Sequence, residues 1–261
     1  MGAEVRCAPA PGAPGRAGVL QVVLCNDGRL NAMNRAMWRQ LRTVFEDIQR
    51  AGTAVRCVLV AGEGAAFCAG GDISEYPGFR FDAAALRSFH EDEVWGALSA
   101  MLACDAPVVA AIAGACMGAG VEIASCCDLR IAAHDARFGA PIARLGFPMA
   151  PREAQLVMGA VGQTLARRML LEAATLDAQT LLAQGFLGQV VEADQLHAQA
   201  QVLAQRVAAL APQAARMNKQ TLRALQAGVP VDALPDPYAY ADSAEHREGI
   251  GAFLAKRSPC F

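Results

Sequence analysis

Pro107-Val-Val-Ala-Ala-Ile-Ala-Gly-Ala-Cys-Met-Gly-Ala-Gly-Val-Glu122 decides the architecture of this chain. Its first part, Val108-Val-Ala-Ala-Ile112, is a short uninterrupted apolar run, the pattern of a strand buried on both faces. Gly114 to Gly120 then turns the chain, and the small residues give way to a helix that carries Glu122 near its start.

The same alternation extends outward. Upstream, Val55-Arg-Cys-Val-Leu-Val60 is a second buried strand and feeds the turn Gly62-Glu-Gly-Ala-Ala-Phe-Cys-Ala-Gly-Gly-Asp72. Val19-Leu-Gln-Val-Val-Leu-Cys25 reads as an earlier strand. Asn34 caps a helix whose Met37, Leu41, Val44, Phe45 and Ile48 follow helical spacing, with Gly52 beyond its end. Residues 81–104 read as helix and Leu129-Arg-Ile-Ala132 as a short strand. Strand, turn and helix in alternation make an α/β core with largely parallel pairing. Past about residue 150 the pattern is helical, over 164–171, 178–184, 193–210 and 212–227, with one strand at Gln189-Val-Val191. Pro230, Pro235 and Pro237 precede a last helix of about 239–257. The expected organisation is a loose leader over 1–18, an α/β core over 19–195 and a helical region over 196–261.

Bulk composition narrows the function. The 261 residues are 54% hydrophobic, 18% charged and 6% aromatic, with a net charge of -2, which is globular rather than disordered. Lys and Arg form no stripe, so neither nucleic acid nor a membrane surface is an expected partner. The longest apolar run ends at Glu122, short of the roughly 20 residues a membrane span needs. The start lacks the basic-then-apolar layout of a secretory signal, and residues 8–18 are rich in Ala, Pro and Gly. Nine cysteines, an odd number with no C-x-x-C, fit buried thiols in a reducing cytoplasm. Four scattered histidines give no expectation of a metal site.

Two turns carry the candidate chemistry, Phe67-Cys-Ala-Gly-Gly-Asp72 and Gly114-Ala-Cys-Met-Gly-Ala-Gly-Val-Glu122. Each follows a buried strand, and ligands in parallel α/β sheets sit at the carboxyl ends of strands. Small residues let a ligand approach backbone N–H groups, and a helix N-terminus adds unsatisfied donors. Two such amides aimed at one oxygen form an oxyanion hole. Glu122 lies three residues beyond Ala119, on the same helix face, and helical side chains lean toward the N-terminus. An acid or base beside an oxyanion hole is what proton chemistry next to a thioester requires. Plainer readings exist: the turns as tight connections, and Glu122 as a complement to the helix dipole. No Gly-Lys-Ser/Thr follows, so neither turn is a phosphate-cradling loop.

Taken together, these residues resemble the enoyl-CoA hydratase/isomerase (crotonase) family over nearly the whole chain. Asn31-Ala-Met-Asn34 resembles its early N-A-[LM]-[NST] turn, and Ala66-Phe-Cys-Ala-Gly-Gly-Asp-Ile73 its A-F-[CS]-A-G-x-D-[LI] signature. The 107–122 stretch, Cys127-Asp-Leu-Arg-Ile131 and Ala136-Arg-Phe-Gly139 resemble its central block. Glu248-Gly-Ile-Gly-Ala-Phe-Leu-Ala-Lys-Arg-Ser-Pro-Cys-Phe261 resembles its closing E-G-x-x-A-F-x-x-[KR]-R-x-P-x-F. The resemblance implies a spiral of ββα units with a C-terminal helical region used for trimer formation, as a homotrimer or a dimer of trimers. It implies an acyl-CoA thioester as substrate with no resident cofactor, and an oxyanion hole from the N–H groups of Gly71 and Ala119. Ala119 stands where the family usually has Gly, and a backbone donor survives that change. Glu122 is the implied acid/base. The coenzyme would lie near Ala32, Ala66, Ala69 and Gly70, beside Asp72 and Ile73, with Phe253 and Lys256 approaching from a neighbouring subunit.

One departure bears directly on the reaction. Family hydratases place a second glutamate in a P-E-[IV] segment after F-G. Here Phe138-Gly-Ala-Pro-Ile-Ala-Arg-Leu-Gly146 puts Ile142 at that position, and Met149-Ala-Pro-Arg-Glu-Ala154 replaces a glycine-rich stretch, with Ala150 where a glycine helps hold water. Hydration needs one group to activate water and another to place a proton, and Ile142 does neither. A replacement would come from His90, Glu91, Asp92 or Glu93, or from Arg152 or Glu153 turned inward; the plainer reading makes these exposed helix-start charges. Asp72 is expected to hold local N–H groups, and Trp95 to be pocket wall or core. The expectations are thus a lyase or isomerase on an enoyl-CoA, a decarboxylase or thioester hydrolase on the same scaffold, or an acyl-CoA-binding protein with weak chemistry.

Overall fold

The computed structural model describes residues 2–10 and 18–261. β1 (Glu4–Pro9) pairs antiparallel with β2 (Val19–Cys25). α1 (Arg35–Arg50) starts where the Asn34 side chain accepts from the Met37 amide, and its buried stripe is Met37, Trp38, Leu41, Phe45 and Ile48. β3 (Cys57–Gly62) follows. A helical stretch comes next, made of α2 (Ala83–Ser88), a π-helical turn (Phe89–Val94) and α3 (Trp95–Ala103). β4 (Val108–Ile112), β5 (Ala115–Met117), α4 (Ala119–Ser125), β6 (Leu129–Ala133) and β7 (Arg137–Gly139) lead into α5 (Pro151–Leu171). β8 (Thr175–Asp177), α6 (Ala178–Ala183), β9 (Gln189–Val191), α7 (Leu196–Ala208), α8 (Pro212–Gln226) and α9 (Ala244–Leu254) complete the order.

The larger sheet has six strands in the order β1-β2-β3-β4-β6-β9, parallel from β2 onward. A second sheet, β5-β7-β8, lies beside it, so successive strand–strand–helix units stack as a ββα spiral. Alternation along each strand divides two cores. Val58, Val60, Val108, Ala110 and Ile112 enter the core shared with α1 and α3. Cys57, Leu59, Ala61, Val109 and Ala111 enter the one beneath α7. Along α7, Leu196, Ala200, Ala204 and Ala208 recur every four residues and are buried, and these short side chains let the helix lie close to the sheet. Seven of the nine thiols are buried, Cys25, Cys57, Cys68, Cys104, Cys116, Cys126 and Cys127, and serve as small apolar side chains. Among the described residues, no helix is long and apolar enough to cross a membrane.

Some boundaries differ from expectation. The leader expected to be loose over 1–18 contributes an edge strand, Glu4–Pro9, in which Val5 alone is buried, which explains the weak apolar signal; residues 11–17 lie outside the described residues. Residues 151–163, read without a helix, open α5, with Pro151 at its first position. Gly162, at φ 80° and ψ 158°, breaks the regular geometry inside α5 and splits the apolar period. The last helix is shorter than expected because Ser243 caps it at its own start.

Candidate active site

Backbone pairing brings the two turns together. The Cys68 amide donates to the Ala115 carbonyl at 2.9 Å, and the Met117 amide donates back to the Cys68 carbonyl at 2.8 Å. Gly120 sits so close beneath that a Cβ there would lie 2.6 Å from the Cys68 carbonyl oxygen, so only glycine lets α4 start against this turn. On the other side, Met33 donates to the Gly70 carbonyl and Asp72 donates to the Met33 carbonyl, both at 2.8 Å. This parallel bridge uses the neighbours of Gly71 and leaves its own N–H outside the ladder. Ala119 is the first residue of α4 and has no preceding helical turn to donate into. Among the described residues, neither the Gly71 nor the Ala119 amide donates to a backbone carbonyl.

Both residues line one cavity of about 220 Å³, together with Ala69, Gly70, Ile73, Glu122 and Ile142. Glu122 projects from the first turn of α4 among mostly apolar groups. Desolvation, with the nearby Glu153 carboxylate adding to it, pushes the Glu122 carboxyl up to about 8. At neutral pH this group holds its proton, unlike an ordinary carboxylate.

Other expected residues lie elsewhere. Ala32 and Ala66 are buried outside the cavity lining, tied together through Asn31, whose side chain donates to the Ala66 carbonyl at 2.8 Å. Asp72 caps the 3-10 turn Ile73–Gly78, accepting from the Ser74 amide at 3.1 Å and from Arg29 at 2.7 Å, which is the local holding role read from the sequence. Phe253, 82% exposed, and Lys256 lie on the surface at the end of α9. Trp95 packs against the core, with the Arg152 guanidinium 5.6 Å from its ring.

The plain reading of the 90–93 and 152–153 charges as exposed is half right. Arg152 and Glu91 form a surface ion pair at 2.9 Å. Glu93 is buried against Arg35 at 2.5 Å, and Glu153 is buried outright. Glu153 Oε1 lies 3.0 Å from Nδ1 of His90, and His90 lines the cavity. The π-helical turn shifts His90 and Glu93 off the register that ordinary helical spacing predicts, and Glu153 turns inward from the first turn of α5.

The sequence reading missed Tyr76 and Arg80. The Tyr76 hydroxyl stands where a Cβ on Gly71 would be, and the Arg80 guanidinium stacks 3.7 Å from the Phe147 ring centre and 4.5 Å from that of Tyr76. All three side chains line the cavity. The signal was the run Tyr76-Pro-Gly-Phe-Arg80, aromatic and basic but without period.

A family profile described as enoyl-CoA hydratase/isomerase matches residues 15–261. The 2,3-dehydroadipyl-CoA hydratase of Escherichia coli is 33% identical over 93% of this chain and 94% of its own length. The 1,2-epoxyphenylacetyl-CoA isomerase of the same organism is 31% identical over 94% and 95%. A solved structure from Magnetospirillum magneticum, named an enoyl-CoA hydratase/carnithine racemase, superposes with a TM-score of 0.90 at 36% identity, covering 94% of this chain and 92% of that one.

Proposed function

The chain belongs to the enoyl-CoA hydratase/isomerase family of acyl-CoA lyases and isomerases, and from that premise we propose that it stabilises a thioester enolate in this cavity. The Gly71 and Ala119 amides hold the enolate oxygen, and Glu122 carries the proton at the carbon next to the thioester. The observation that supports this most is one cavity holding two amides without backbone partners and a carboxyl that keeps its proton at neutral pH. The chemistry needs the thioester and the chain's own groups. The coenzyme runs past Ala69 and Gly70, toward Ala32 and Ala66. Seven buried thiols suit a reducing compartment such as the cytoplasm.

Ile250, Phe253 and Leu254 leave α9 with a large exposed apolar surface, which supports a homotrimer, alone or paired, in which Phe253 and Lys256 reach a neighbour's coenzyme. A monomeric mass by light scattering would overturn that assembly.

Arg80 favours a narrower substrate class. Among the described residues it stacks on Tyr76 and Phe147 with no carboxylate partner, yet it lines the cavity. An acyl chain ending in a carboxylate would supply the missing anion, and the E. coli relative named above is a hydratase of such a thioester.

The test is an enoyl-CoA panel, neutral and ω-carboxylated, incubated with the enzyme in heavy water and read by mass spectrometry. Deuterium at C2 of turned-over thioesters is expected, with the lower KM for carboxylated chains. Arg80→Met should raise that KM by about 10–100-fold, from a charge-assisted hydrogen bond of roughly 1.5–3 kcal/mol, and leave neutral chains unaffected. No exchange and no turnover on any thioester would end the reading; equal KM values would end the Arg80 assignment alone.

A further inference from the structure

Glu153 presents an unusual problem for a folded chain. Its side chain is 2% exposed, one oxygen meets His90, and the other, Oε2, has no hydrogen-bond partner among the described residues. A buried carboxylate left half-satisfied is costly, and such groups in folded proteins call for a reason. His90 supplies one. It sits in the π-helical turn, is 23% exposed and faces the cavity that holds Glu122. Its Nδ1 is taken by the carboxylate at 3.0 Å, which sets the tautomer and leaves Nε2 as the ring nitrogen able to accept a proton. Local insertions of this helical type recur at functional sites. Ile142, on the cavity wall, offers no proton.

Resting on the enolate reading above, we propose that His90, oriented by Glu153, is the second proton-transfer group of this enzyme and activates the water that adds to C3 of a 2-enoyl thioester. As the water oxygen bonds to C3, one of its protons passes to His90 Nε2. The C2=C3 electron pair shifts toward the thioester, and the enolate oxygen so formed rests on the Gly71 and Ala119 amides. Neutral Glu122 then gives its proton to C2, so the elements of one water molecule have been added. Afterwards His90 returns its extra proton to solvent and Glu122 takes one back. His90 is the catalytic residue here, and Glu153 is a positioning residue that acts through it. Two proton carriers on separate elements, the π-helical turn and α4, thereby divide the work that two glutamates would otherwise share.

The experiment follows two reactions in heavy water near pH 8, where both forms of Glu122 are present: hydration of crotonyl-CoA, and deuterium exchange at C2 of butyryl-CoA, which uses ionised Glu122 and the amides alone. His90→Gln is expected to lose about 10²–10⁴-fold in hydration, while C2 exchange stays within threefold. Glu153→Gln should lower kcat for hydration at least tenfold with KM unchanged, and added imidazole should restore part of the hydration lost in His90→Ala. Hydration within threefold of wild type in His90→Gln overturns the proposal. So does equal loss of hydration and exchange, since His90 would then be supporting the cavity alone. Wild type that exchanges without hydrating overturns it too but leaves the enolate reading standing, whereas wild type that does neither removes both.

Discussion

Glu122→Gln is expected to lower turnover about 10²–10⁴-fold while binding of a saturated acyl-CoA stays within threefold. Glutamine keeps the shape and the dipole but neither gives nor takes the proton at C2, so the loss falls on kcat. The same change should stabilise the fold, and the sign follows from the shift. The Glu122 carboxyl stands at about 8 in the folded chain against 4.5 as its ordinary value, so the folded chain holds this proton more tightly than the unfolded one. That contribution is complete below about pH 4.5 and is lost as pH rises through about 8, because a carboxylate must then sit in an apolar cavity. The gap corresponds to about 5 kcal/mol above pH 8, and about 3 kcal/mol of it is already lost at pH 7. Glutamine is neutral throughout. Thermal unfolding of the two proteins should therefore coincide near pH 4 and separate upward, with the variant the more stable. Parallel pH profiles would contradict the desolvation of this carboxyl, and turnover above a tenth of wild type would remove its proton-carrying role.

The legible parts of the fold were those whose signal is local. The strands at 19–25 and 108–112 appear with the boundaries read from the sequence, because every residue of the second meets a core on one face or the other and Val19, Val22 and Leu24 anchor the first. Asn34 caps α1 as its spacing to Met37 implies. That the two turns could share a site followed from their place after buried strands, but the pairing of Gly71 with Ala119 was legible only through resemblance, since it depends on the bridge between Cys68 and Cys116 across nearly fifty intervening positions. What escaped was set by tertiary context. β1 shows almost no apolar period because its partner is the edge of β2. The inward turn of Glu93 and Glu153 depends on one π-helical turn and on a helix start at Pro151 that two later glycines obscure. Tyr76 and Arg80 gather at the cavity against Phe147, the first edge to face and the second over its ring, contacts that no spacing in the sequence announces.

Ala119→Pro should cost turnover about 10²–10³-fold, and Ala119→Gly should change it less than threefold. A backbone donor escapes ordinary side-chain mutagenesis, but its position at the first residue of α4 offers a way to remove it. Proline is favoured at that position: its ring fixes the helical φ, and the N–H it lacks has no helical acceptor in any case. The residue before a proline is pushed away from the helical region, and Gly118, at φ 47° and ψ -109°, is already outside it. The helix therefore survives while the cavity loses one of its two amides, and with it half of the hydrogen bonding proposed for the enolate oxygen. The glycine variant is the matched control, because it keeps the amide and removes only the methyl group. Steady-state kinetics on crotonyl-CoA, with thermal unfolding to confirm an intact fold, separates the possibilities. Near-normal turnover in the proline variant would place the enolate oxygen elsewhere. Equal losses in both variants would mean that the Ala119 methyl shapes the cavity and that the amide is dispensable. A loss confined to proline assigns the effect to the amide.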